Sequence, residues 1–133
     1  MSEENVEIVV RQFELWNAGD LDAAMDDYAP DVVVESPEGW PEGSVSRGVD
    51  EWQRQAQRLR DTWDEARADI EEILPVGDDR VVARFRYVTS GKDSGLSFNT
   101  PIAALFFLRE RKITRVRYFW DVAEAREAAG LPG

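Results

Sequence analysis

The chain has 133 residues, room for one domain with a sizeable core, and its 43% hydrophobic content with five tryptophans argues against disorder. It has no histidine and no cysteine, which removes Ser-His and Cys-His nucleophile pairs, disulfides and His-based metal sites. Net charge is −11 and sits in residues 1–46, where twelve acids face Arg11 alone, an acidic surface that speaks against a nucleic-acid partner.

Ser2 can cap a first helix whose apolar positions Val6, Val9, Phe13 and Trp16 follow helical spacing. "NAGD" (17–20) stops it: Gly19 suits a left-handed C-terminal position and Asp20 can cap the next helix. That second helix carries Leu21, Ala24, Met25 and Tyr28 on one stripe and ends at Pro30. "DVVVES" (31–36) is β-branched and predicts a strand. A Pro/Gly loop over 37–48 follows, with Trp40 placed as a lid or an interface contact. The third helix has the strongest periodicity, with Val49, Trp52, Ala56, Leu59, Trp63 and Ala66 spaced 3-4-3-4-3.

From residue 69 the period changes to two. "DIEEILPV", "RVVARFRYVTS", "LSFNTPIAALFFLR" and "KITRVRYFW" predict four strands joined at "GDD", "GKDSG" and "RERK". Val81, Ala83, Phe85, Tyr87 and Thr89 share one face of their strand. The next strand is apolar on both faces, Ala103, Leu105 and Phe107 against Ile102, Ala104, Phe106 and Leu108, and so calls for cover on both. Helices can supply one cover; a second subunit is the expected other, with Phe106 on that outer side. "DVAEAREAAG" (121–130) closes the chain as a short helix. Helices followed by an antiparallel meander define an α+β domain spanning 1–133. A sheet curled around three helices leaves a conical pocket.

"FELWNAGDLDAAMDDYAPDVVVESP" (13–37) and "KITRVRYFWDVAEAREAAG" (112–130) resemble the nuclear transport factor 2-like superfamily, and within it the SnoaL-like polyketide cyclases. The resemblance implies a curved antiparallel sheet wrapped around three N-terminal helices, closed by a short C-terminal one. It also lets the relatives' chemistry be carried across by position. The proton-abstracting aspartate of ketosteroid isomerases falls on Ser36, their oxyanion-stabilising acid on Ala103 and their helix-1 tyrosine on Gln12. The Asp-Arg-Asp set of limonene epoxide hydrolases falls on Phe85, Tyr87 and Tyr118, with Val34 and Ser36 in place of the water-orienting groups. Charges have been replaced by aromatic rings.

The late-sheet aspartate of the cyclases corresponds to Asp121, and two readings stand for it. As an acid–base group it would work with Tyr87 and Tyr118 polarising a substrate carbonyl. As a helix cap, Asp121-Val-Ala-Glu124 fits a capping box, and strict alternation sends its side chain away from Val116, Tyr118 and Trp120. The expected lining is Trp16, Val34, Ser36, Trp63, Phe85, Tyr87, Ala103, Leu105, Tyr118 and Trp120. These residues favour binding of a small apolar or aromatic ring compound over catalysis of a known type, with no cofactor or metal called for. No apolar run approaches the roughly 18 residues of a membrane span, and the N-terminus lacks signal-peptide character. A cytoplasmic homodimer without membrane attachment is expected.

Overall fold

The computed structural model describes residues 2–37, 45–91 and 97–131, so Trp40 lies outside the described residues, as does the side chain of Ser2. Helix α1 (Ser2–Ala18) runs into α2 (Leu21–Met25), then strand β1 (Tyr28–Glu35), a short β2 (Val45–Arg47) and helix α3 (Val49–Thr62). Four long strands follow, β3 (Trp63–Val76), β4 (Arg80–Gly91), β5 (Ser97–Arg109) and β6 (Lys112–Phe119), before the closing helix α4 (Val122–Ala128). The sheet order is β2-β1-β6-β5-β4-β3. All pairs are antiparallel except β1 with β6, which run parallel. This is the α+β architecture the sequence implies.

Local chemistry sets most element ends. Gly19 takes φ +77°, and the Ala23 N–H donates to the Asp20 carboxylate at 3.1 Å to open α2. Asn5 and Asn17, near the two ends of α1, bind it across the sheet edge. Asn5 Nδ2 donates to the Asp78 carbonyl at 2.8 Å. Asn17 both donates to the Ala68 carbonyl (2.9 Å) and accepts from the Ala68 N–H (2.8 Å). The side chain of Asn17 thus does what a neighbouring strand would do for the outermost strand, β3.

Two boundaries differ from the sequence expectation. Tyr28 and Pro30 belong to β1, not to α2. Proline is tolerated there because the β1–β6 register shifts between Tyr28 and Val33, leaving Pro30 in an irregular stretch. Helix α3 ends at Thr62, and Trp63 adopts extended angles (φ −121°, ψ 151°) opposite Gly91. The helical spacing through Ala66 is overridden by pairing with β4, where Ala66 and Ala68 alternate into the interior.

The larger correction concerns the faces of β5. Val81 pairs with Phe106, Ala83 with Ala104 and Phe85 with Ile102. Directly paired residues share a face, so Ile102, Ala104 and Phe106 point at the helices with Phe85. Ala103 and Leu105, expected beside Phe85, point the other way. A one-residue difference in register exchanges the whole set. That other face is met by α4, so cover for Ala103 and Leu105 comes from this chain and not from a second subunit. Ala125 of α4 and Ala129 at its C-cap, both essentially unexposed, pack with Val76, Val82, Ala103 and Leu105. Small residues let the helix sit close to the sheet. Arg80 Nη1 donates to the Ala129 carbonyl at 2.5 Å and satisfies its C-terminus.

The register shifts at Ile70/Glu72, where Glu71 is the extra residue on β3, and at Phe107/Leu108, where Thr114 is the extra residue on β6; such bulges bend the strand that carries them. No helix among the described residues is long and apolar enough to cross a membrane.

Candidate functional site

Between the helices and the concave face of the sheet lies a cavity of about 120 Å³. Helix α1 contributes Gln12, Phe13 and Trp16, and α3 contributes Trp52, Gln55, Ala56 and Leu59. The sheet contributes Tyr28, Ala68, Phe85, Tyr87, Ile102, Phe106 and Tyr118, with Ser36 and Pro37 just past β1. Edge-to-face contacts hold the wall: Phe13 to Phe85 at 4.9 Å between centroids, Phe13 to Phe106 at 6.2 Å, Phe85 to Tyr118 at 6.4 Å and Tyr28 to Trp52 at 6.3 Å. Outside it, the Arg60 guanidinium lies 5.1 Å from the Trp16 ring and donates to the Trp16 carbonyl at 2.5 Å. That arginine ties the end of α1 to α3.

Of the residues expected to line a pocket, Trp16, Ser36, Phe85, Tyr87 and Tyr118 border this cavity. Val34 is buried beside it in the same core, without bordering it. Trp63 stands at the sheet edge against Phe98 (5.8 Å), where the switch to β3 carries it away. Ala103 and Leu105 lie under α4 on the opposite face. Trp120 is 43% exposed, because β6 ends at Phe119 and the chain turns there into α4.

Asp121 is exposed and caps α4: its Oδ1 accepts the Ala123 N–H at 2.8 Å. It does not border the cavity. Among the described residues no group of acids is placed to hold a metal ion.

The cavity is apolar but not featureless. Burial pushes the phenols of Tyr28 and Tyr118 well above the ordinary tyrosine range. The Trp52 indole beside Tyr28 opposes that shift without reaching hydrogen-bond geometry, and Tyr118 is raised further by Tyr28 and Tyr87. Both phenols are therefore neutral at physiological pH. Among the described residues, no Asp, Glu, Lys or Arg lines the cavity.

Two buried carboxamides complete the wall: Gln12, which stands where the ketosteroid isomerase resemblance puts a tyrosine, and Gln55, which carries no such signal. Gln12 Nε2 donates to the Ala24 carbonyl (2.9 Å) and to Asp27 Oδ2 (3.0 Å). Asp27 is gripped in turn by Arg11, through Nε at 2.8 Å and Nη2 at 2.5 Å, which raises the pKa of the arginine. Gln55 accepts a hydrogen bond from the Ser46 hydroxyl on β2. Gln12 flanks the Phe13/Trp16 stripe and Gln55 sits beside Ala56, so each reads as a polar flank until tertiary packing buries it.

The SnoaL-like domain family matches residues 9–116, and the chain belongs to that family. No curated protein matches the chain. Among solved structures, TerC co-crystallised with polyporic acid is 19% identical, covers 96% of this chain and 98% of its own, and superposes with a TM-score of 0.78. A candidate SnoaL-like polyketide cyclase from Jannaschia sp. CCS1 is 22% identical over 99% of this chain and 95% of its own, at a TM-score of 0.78. A nuclear transport factor 2-like protein of unknown function from Burkholderia pseudomallei is 20% identical over 93% and 95%, at 0.79. At these identities the likeness is one of fold.

Proposed function

We propose that this SnoaL-like domain binds a small, neutral, largely apolar ring compound in the aromatic cavity. The observation that carries the reading is the wall itself: rings, aliphatic carbons, neutral phenols and carboxamides, with no ionised group lining it among the described residues. An anion entering it would lose hydration without gaining a counter-charge. A cavity of about 120 Å³ is the scale of one ring, since an apolar cavity of ~150 Å³ accepts benzene. That TerC was co-crystallised with polyporic acid supports ligand binding within this fold, not the identity of this ligand. The acid–base alternative needs a carboxylate on the cavity, and Asp121 is engaged on α4 instead.

Thermal-shift titration with benzene and toluene tests the reading. A ligand at 100 times its Kd should add about 2.7 kcal/mol of stability. Ala56, fully buried on the α3 side of the wall, gives the control. Ala56→Leu should fill much of the space and abolish the shift while the protein remains folded. An undiminished shift in that variant would place the ligand elsewhere.

We also propose a homodimer through Phe107 and Phe119, which remain only partly buried beside α4. Light scattering decides it: a mass near the 15.1 kDa of one chain at micromolar concentration removes the proposal.

A further inference from the structure

Gln12 is 7% exposed, stands on the cavity wall and cannot turn its amide over. Both hydrogens of Nε2 are engaged by groups that only accept, the Ala24 carbonyl and the Asp27 carboxylate. Arg11 holds that carboxylate by two hydrogen bonds, so the anchor is itself fixed. Exchanging Oε1 and Nε2 would set an oxygen against two oxygens. Oε1 is thus committed as an acceptor, and no described protein group donates to it. Gln55, also 7% exposed, lines the cavity from α3 with its own oxygen occupied by Ser46, which leaves its Nε2 as a donor. Gln12 is therefore oriented by neighbours outside the cavity, whereas the Ser46 hydroxyl, able to donate or accept, lets Gln55 present either end of its amide.

We propose that Gln12 is a specificity-determining residue that selects a ring compound carrying a hydrogen-bond donor, and that the ligand is of the neutral phenol class. The inference rests on the ligand-binding reading above. A phenolic hydroxyl gives its proton to Gln12 Oε1, can accept from a donor such as Gln55 Nε2, and leaves the ring for the aromatic wall. A plain hydrocarbon would leave a buried acceptor unpaired, which is where discrimination comes from. An ether keeps the oxygen but offers no proton to Gln12.

The test compares phenol, benzene and anisole by calorimetric titration of the full chain near neutral pH, where phenol is un-ionised. Phenol should bind about 10-fold more tightly than benzene, with anisole no better than benzene. In Gln12→Met, benzene should keep its affinity and the preference for phenol should fall to within about 2-fold. Equal binding of phenol and benzene by the unaltered protein would overturn the inference while leaving ligand binding intact. So would anisole matching phenol, or a preference surviving in Gln12→Met. Should that variant not fold, the anisole comparison decides by itself, because it removes the donor from the ligand instead of the acceptor from the protein. Failure of all three compounds to bind overturns the ligand-binding reading and this inference with it.

Discussion

Replacing Phe106 and Phe107 in turn by alanine measures the register of β5 directly. Phe106 is 2% exposed, packs edge-on against Phe13 and borders the cavity. A buried Phe→Ala change costs about 3–5 kcal/mol, the sum of lost transfer energy and the void left behind. The value should fall in the upper part of that range, because the new space merges with a cavity that has not collapsed. Phe107 is partly exposed on the other face, with the Arg115 guanidinium 5.6 Å from its ring. It should lose about 1–2 kcal/mol, part of it the arginine contact. With an unfolding entropy of about 2.1 cal/mol/K per residue, 133 residues convert the Phe106 loss to a fall in Tm of about 10–20 °C. Urea melts followed by circular dichroism give both numbers, and equal m-values would license the comparison. If Phe107→Ala proves the costlier change, the pairing of Val81 with Phe106 is wrong by one residue and the face assignment falls with it.

Asp121→Asn should be nearly neutral in thermal melts and Asp121→Ala should cost about 1 kcal/mol, because asparagine caps a helix about as well as aspartate. A loss in the asparagine variant as large as in the alanine variant would count against the cap. The buried phenols predict alkaline sensitivity. Their folded pKa lies above the unfolded value near 10, so above that pH the unfolded state holds fewer protons and stability falls as pH rises. The loss, up to about 1.4 kcal/mol per pH unit per tyrosine, should begin near pH 10 and be absent below it. Tyr28, at 7% exposure, should dominate, and Tyr28→Phe should flatten the slope in urea melts repeated across that range. An unchanged slope would mean that this phenol titrates normally.

How much of this was legible in the chain follows from the range of each interaction. Caps and stops are local, so Gly19, Asp20, Asp121 and Gly130 mark their element ends from sequence alone, and the period-two strands from β4 onward are read the same way. The swap of hydrophobic faces is not local. Alternation along β5 shows two apolar sets, Ile102/Ala104/Phe106 and Ala103/Leu105/Phe107, and either set could have met Phe85. The pairing of β4 with β5 chose between them, and α4, folding back with its small Ala125 and Ala129, matches the face left over. Trp63 shows the same limit, since its helical spacing is genuine and only the β4 partner makes it a strand residue.

The sequence by itself determined that no histidine or cysteine chemistry is available, because side-chain identity survives any change of register. It also determined the helix–strand order and the family, which depend on local periodicity and motif. Only the tertiary structure decided the cavity's polarity. Gln12 acquires a fixed orientation from Ala24 and Asp27, twelve and fifteen residues on, and Gln55 is tied to β2 through Ser46. A carboxamide has no preferred direction until its neighbours arrive, so the one feature that would tell one ring compound from another is written in contacts between elements.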